Sequence, residues 1–353
     1  VTSIIPKIEV MVMPKSSLPS WLCALVLLMP LPSFALSCGD TVTSDVRLTA
    51  DLHCTTGYYA LHVPTSGVTI DLNGHTLSGD TGIPGISIYN ASSVTIKGPG
   101  KIRGFSIGVY GQRSHALKVM GVDFEDNIAG ASISHALSNT FAGNTFSRSS
   151  AIALAFYDNS TIDPRIGPGY HSIVDNAFTD VDGGVQLCGM DTGSSTIANN
   201  AFARSKAFAI RLLDSSDRNT IHSNVIWNAT DYGIVVRSSN MNRIHNNGID
   251  TGSIGVFVDA GLGSCNRPAS AGDFAYSNDI ESNLIRQQII AVQFGNGGAG
   301  RPVRKNFARL NQLHDNVLGI YYRIDTVSNT AIANDVAGTI TPVIDESGIN
   351  YYY

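Results

Sequence analysis

Three alternating segments end in residues that can handle a charged ligand: AFAIR ends in Arg211, GIVVR in Arg237 and GVFVD in Asp259. If the apolar residues Ile234 and Val236, and likewise Val256 and Val258, turn inward, their alternates must turn out. That rule places Tyr110, Gln186, Val235, Phe257, Gln293 and Tyr321 in one outward column. Gln112, Arg211, Arg237, Asp259 and Arg323 fall in the neighbouring column. Aromatic faces cover the apolar sides of sugar rings, and a guanidinium fork pairs with a uronate or sulfate. In a chain only 14% charged, three arginines on one face point to an acidic polysaccharide. The competing expectation is an ordinary solvated face on which Arg and Asp pair with each other.

Each reaction of such a polymer makes its own demands. β-Elimination needs the uronate neutralised, a base for the C5 proton and an acid for the leaving oxygen. Arg211 and Arg237 suit the first task, while Tyr157, His171 or Arg237 can move the proton. Epimerisation shares the first step and returns the proton from the other side. Hydrolysis needs two carboxylates flanking the bond, and Asp158, Asp182, Asp191, Asp214 and Asp259 are available with no spacing that selects a pair. The expected catalytic group is therefore Arg237, Arg211, His171 and Asp259. The expected substrate contacts are Tyr110, Tyr157, Asp158, Arg165, Gln186, Phe257, Gln293, Tyr321 and Arg323.

Such residues become neighbours only if the chain repeats, and it does. FAGNTF, IVDNAF, IANNAF, IHSNVI, IHNNGI, IESNLI and LHDNVL place Asn144, Asn176, Asn200, Asn224, Asn247, Asn283 and Asn316 at one recurring site, with Asp335 of IANDV as a last copy. A unit this short cannot bury its apolar side alone and must stack on the next one. Strand-like openings at Gly85, Gly108, Gly130, Ala151, Gly184, Ala207, Gly233, Gly255, Ala291 and Gly319 complete the coil. Stacked strands lie about 4.8 Å apart, so Arg211, Arg237 and Asp259 on consecutive coils would span less than about 10 Å. Inward amides at a bend can bond to those above and below, fixing the register. Three coils are lengthened after the opening strand, at 157–170, 260–276 and 296–304. Insertions placed alike rise from one flank and can wall a groove.

VTIDLNGHTLSG, SSDRNTIHSNVI and TDYGIVVRSSNMNRIHNNGI resemble the repeat of parallel β-helix proteins, the grouping that includes pectate-lyase-like enzymes and NosD-like proteins. The resemblance implies an all-β, right-handed, single-stranded parallel β-helix with an N-terminal cap. It does not imply one activity. The Gly-His-Gly segment of pectin hydrolases of this fold is missing. Asp163-Pro164-Arg165-Ile166 matches only the first two residues of the Asp-Pro-His-Asp segment of mannuronan epimerases. The expected function is thus action on a uronate-containing polysaccharide by lyase or epimerase chemistry. Its alternatives are a non-enzymatic polysaccharide-binding scaffold or a NosD-like metal-handling protein.

Composition limits the remaining classes. The chain has 353 residues and a formal charge of −5, which argues against a nucleic-acid partner because counterion release needs a basic face. Lys15, the apolar run Trp21–Met29 and the small residues up to Ser37 read as an export signal, too short and too broken by Pro30 and Pro32 for a stable membrane insertion. The expected divisions are a signal at 1–37, a cap at 38–66, the β-helix at 67–345 and a tail at 346–353. The expected product is a secreted or periplasmic monomer. Cys23 falls in the signal, leaving Cys38 with Cys54 and Cys188 with Cys265 as the expected disulfides, although other pairings are open. No metal-ligand set is assigned; the only cofactor entertained is Ca2+. A second outward column, His222, His245, Glu281 and His314, would present its imidazoles in a line and not around an ion.

Overall fold

Alternating apolar residues separated by Gly and Asn corners favour short strands, and none of those strands can bury both faces by itself. In the computed structural model, which describes residues 36–157, 169–261, 265, 274–296 and 302–353, the strands stack as a right-handed parallel β-helix. One coil shows the pattern: an opening strand Ala129–Ser134, a second strand Thr140–Ala142 and a third strand Thr145–Ser147, followed by the next opening strand Ile152–Tyr157. The second strands form a sheet of their own, 13 strands deep among the described residues. In three coils the third and opening strands fuse into Val225–Arg237, Gly248–Asp259 and Leu284–Phe294.

The core is the set of inward columns. Val109, Ala131, Leu154, Val185, Ile210, Ile234, Val256, Val292 and Ile320 stand opposite one another from coil to coil. All are buried. Phe124, Phe146, Phe178 and Phe202 form a second column, with ring centroids 4.7, 4.8 and 4.6 Å apart and nearly parallel planes. Close approach explains the small residue near the start of the opening strands, such as Gly108 in Ile107–Gln112 and Gly130 in Ala129–Ser134. A Cβ on Gly233 would stand 2.5 Å from the Gly255 carbonyl oxygen of the next coil.

Two polar ladders fix the register. The first runs Asn144, Asn176, Asn200, Asn224, Asn247, Asn283, Asn311 and Asn334, each side-chain Oδ1 accepting the backbone N–H and the Nδ2 of the preceding member at 2.8–3.0 Å. Asn316 and Asp335 are therefore not its last two members. ARLNQL and LHDNVL both satisfy the repeating phrase, and the structure uses Asn311 from the first. Asn316 serves the next bend, where its Oδ1 accepts the Gln288 N–H at 2.9 Å. The second ladder was not anticipated. It passes from Asn139 through His171 and Ser195 to Asn219, Asn242, Asn278, Asn306, Asn329 and Asn350 at the corner before the second strand.

Parallel pairing already begins inside the segment expected to form a cap, where Asp40–Thr41 and Leu52–Cys54 pair with Leu61–Val63 and Thr76–Gly79. It continues into the expected tail, where Tyr351–Tyr352 pairs with Thr330–Ile332. Both anticipated disulfides form, Cys38–Cys54 and Cys188–Cys265, with Cα atoms 5.5 and 5.8 Å apart. No helix among the described residues is long and apolar enough to cross a membrane.

Candidate functional site

The site rests on the outward side of the opening strands. Its first column reads Tyr110, Ser132, Ala155, Gln186, Arg211, Val235, Phe257, Gln293 and Tyr321. The second includes Gln112, Ser134, Tyr157, Cys188, Leu213, Arg237 and Asp259. Arg211 thus belongs with Gln186 and Phe257 and not, as expected, beside Arg237. The residue equivalent to Gly184 is Ala209, two positions beyond the Ala207 from which the spacing was counted. The shift keeps Arg211 outward but moves it one column over.

This face is not openly solvated. Phe208, Val235 and Phe257 are buried there and pack with Tyr232 and Ile152. Arg211 lies over the Phe208 ring, its Cζ 3.9 Å from the centroid, and its Nε donates to Gln186 Oε1 at 2.8 Å. Ala207, Phe208, Asp231, Tyr232, Val235 and Arg237 complete the recess around it. No carboxylate lies within ion-pair distance of Arg211 among the described residues. Burial, and then the neighbouring Arg237, push its pKa down to about 10. Burial raises the Tyr157 phenol above its ordinary range, against the opposing pulls of Arg211 and Gln186.

Arg237 and Asp259 form an ion pair through one carboxylate oxygen. Arg237 Nε lies 3.0 Å from Asp259 Oδ2, with the carboxylate side chain 1% exposed and the guanidinium 32% exposed. Asn296 Nδ2 donates to the same oxygen at 3.1 Å. Burial holds the Asp259 carboxyl above the usual carboxylate range, although Arg237 pulls it the other way.

The other expected residues are spread widely. Tyr110 donates to Gln112 Oε1 at 3.4 Å, and its strand stands four steps, roughly 19 Å, from that of Arg211. Tyr321 lies four steps the other way, its hydroxyl donating to Glu346 and accepting from Arg323 Nη1. Gln293 Nε2 donates to the Gly295 carbonyl at 2.8 Å. Asp158 and Arg165 lie outside the described residues.

His171 is placed inside the coil and not in the recess. It is buried, stacks on Phe156 at 4.2 Å and takes the Asn139 N–H on Nδ1 at 3.3 Å. Its position in the sequence, directly before the second strand, is that of Ser195 and Asn219. The signal was present, but the phrase around it does not contain Asn.

The histidine column also needs correction. His222, His245 and Glu281 face one another in register, and the next member is Arg309. His314 belongs to a third-type strand opposite Arg286 and pairs with Asp335. The His222 and His245 rings stack at 5.1 Å. The potential metal-ligand set that the structure brings together among the described residues is Cys188, Asp214 and Cys265, buried and with ligand atoms within 4.8 Å of one another. Sulfur donors do not suit Ca2+, a hard cation that takes oxygen. Sequence reasoning missed the set because Asp214 is remote from both cysteines along the chain.

The coils have a right-handed parallel β-helix fold related to that of pectate-lyase-like and NosD-like repeat proteins. The family model described as "Periplasmic copper-binding protein (NosD)" matches residues 169–285. No curated protein matches the chain. Among solved structures, the mannuronan C-5 epimerase AlgE6 A-module of Azotobacter vinelandii superposes with a TM-score of 0.62 at 12% identity, over 88% of this chain and 90% of that one. The alginate lyase AlyF-OU02, in complex with G6, gives 0.52 at 12% identity, over 90% and 79%. An α-1,3-glucanase from Streptomyces thermodiastaticus gives 0.50 at 12% identity, over 90% and 61%. The fold therefore resembles that of carbohydrate-active enzymes acting on uronic-acid polysaccharides. At such identity the likeness is one of fold, and function must be argued from the site.

Proposed function

We propose that this protein binds an acidic, uronate-containing polysaccharide across the outward face of its opening strands and performs lyase or epimerase chemistry at Arg211. The observation carrying the proposal is the state of Arg211, half-buried on Phe208, held by Gln186 and with no acidic partner among the described residues. A desolvated cation without a counterion is costly. An incoming sugar carboxylate relieves that cost and is neutralised in the same contact, and Asp231, the carboxylate that lines the recess, is assigned to take the adjacent C5 proton. Tyr157, kept neutral by burial, is suited to protonate the leaving oxygen. Gln293, Phe257 and the more distant Tyr110, Tyr321 and Arg323 supply outer sugar contacts in this reading, and Asp158 and Arg165 belong to the proposed wall. Arg237 and Asp259 flank the reacting sugar as a charge pair. No proton-transfer role is retained for His171.

Uronate polymers of differing composition test the proposal. Binding is read by calorimetry, elimination by the ultraviolet absorbance of the unsaturated product, and epimerisation by proton NMR. Binding together with either product supports the whole proposal. Absence of binding to every acidic polymer overturns it.

A second reading, a polysaccharide-binding scaffold without turnover, is favoured by the Arg237–Asp259 pair, because two groups suited to acid–base work neutralise each other. It predicts binding with no product. The proposed location, secreted or periplasmic, is supported by the leader-like first segment, the two disulfides and the periplasmic family matched over residues 169–285. The protein is proposed to act as a monomer.

A further inference from the structure

Cys188 ends the opening strand Gly183–Cys188, where parallel pairing sets it opposite Leu213. The next residue, Asp214, turns with φ 51° and is held by its own N–H on the Arg237 carbonyl at 3.1 Å. Its Oδ2 accepts the Cys265 N–H at 3.1 Å. Cys188 and Asp214 are thus positioned by the coils and do not depend on the disulfide. All three residues are buried. The ligand atoms of the three residues lie within 4.8 Å of one another.

We infer that reduction of the Cys188–Cys265 bond turns this corner into a thiolate–carboxylate site for a thiophilic divalent cation such as Zn2+, with Asp214 as the third ligand. A dithiol supplies two electrons and two protons, becomes a cyclic disulfide itself and leaves two thiols. The cation then takes both sulfurs as thiolates and releases their two protons to solvent. Two sulfur donors with one carboxylate match Zn2+ rather than Ca2+ or Mg2+. Three protein ligands leave a fourth position for water or a small ligand. The disulfide and the metal site are alternative states of one corner, selected by the redox conditions. The inference stands independently of the polysaccharide proposal.

The experiment adds Zn2+ alone to the full chain, oxidised or reduced with a phosphine under anaerobic conditions, and reads uptake by competition with a chromogenic chelator. The expected result is one Zn2+ per reduced chain and none per oxidised chain. Uptake should survive in Cys38→Ser/Cys54→Ser and vanish in Cys188→Ser/Cys265→Ser. Asp214→Asn should weaken it by about tenfold or more, as loss of a metal-site partner commonly does. Circular dichroism of the reduced chain reports the sheet. No uptake by a folded reduced chain, uptake unchanged in Cys188→Ser/Cys265→Ser, or loss of the sheet on reduction would each overturn the inference.

Discussion

Arg211 and Arg237 stand diagonally on adjacent opening strands, Arg211 opposite Val235 and Arg237 opposite Leu213. They line one recess, yet among the described residues only Arg237 has a carboxylate within ion-pair distance. Their substitutions should therefore have opposite signatures. Arg211→Gln removes a half-buried cation that has no counterion among the described residues, so the thermal midpoint should hold or rise. The same change deletes a charge-assisted contact of about 1.5–3 kcal/mol, so uronate affinity should fall by roughly tenfold to a hundredfold. Arg237→Gln leaves Asp259 buried without its cation. Because Arg237 is about a third exposed, its loss should destabilise by about 1–3 kcal/mol, less than for a fully buried pair. Calorimetry and thermal unfolding of both variants check the contrast, and a destabilised Arg211→Gln with full affinity would reverse the assignment.

The pH dependence of binding follows from the depressed pKa of Arg211. Uronate binding needs the protonated guanidinium, so affinity should be level through neutral pH and fall as pH rises past about 10. Bound carboxylate favours the charged form, so the Arg211 pKa in the complex lies above its free value. Titrating binding from neutral to alkaline pH, with Arg211→Gln as the reference, should show the fall only in the parent chain.

The interior ladders should be expensive to break. Asn200 Oδ1 accepts from Asn176, while its Nδ2 donates to the Ile173 carbonyl and Asn224 Oδ1, all at 2.9–3.0 Å. Asn200→Ala orphans several buried groups at about 1–3 kcal/mol each, and a total loss of about 2–5 kcal/mol is expected in denaturant unfolding.

His171 offers a sharper version of the same test. Asn is the commonest residue in its ladder and can supply an acceptor to the Asn139 N–H, so His171→Asn should retain most of the stability that His171→Ala loses. Polysaccharide binding and any turnover should follow stability and not the imidazole. A stable His171→Asn that had lost turnover alone would restore the histidine to the chemistry.

How much of this was legible follows from period and from type. Alternation with a recurring Asn is enough to define coils and inward faces, because a one-residue slip would put Val256 or Ile234 into water. It cannot protect against a slip of two, which keeps every face and changes every neighbour. That is how Arg211 came to be placed beside Arg237. At Asn311 and Asn316 two matching phrases follow each other closely, and only the competition of whole coils for hydrogen bonds chooses between them. His171 and Ser195 were hidden because their ladder tolerates several polar types. Asp214 beside Cys188 and Cys265 was hidden because its neighbours come from separate coils. The outward arginine and aromatic face was legible as composition, but its burial by Phe208 and Tyr232 was not.

The outer surface makes a separate prediction about acid. Lys101 and then Arg148 hold Glu125 below its ordinary value of 4.5, and Arg148 holds Asp126 below 3.8. Arg204 does the same for Asp180, Arg243 for Glu281 and His314 for Asp335. A carboxylate whose folded pKa is depressed contributes stability that is present above its unfolded pKa and lost as pH falls through the folded one. The thermal midpoint should therefore be steady down to the ordinary carboxylate values and then drop. Asp259 has the opposite sign. Its folded pKa is raised, so its contribution is full below its unfolded value and declines as pH rises through the folded one, which offsets a small part of the acid loss. Most of the pairs are solvent-exposed, and at about 1 M salt the screening length shortens to about 3 Å. The acid slope should flatten in salt if these ion pairs carry it. An unchanged slope in salt would instead assign the loss to carboxylates bonded to backbone amides, as Asp51 is to the Thr76 N–H.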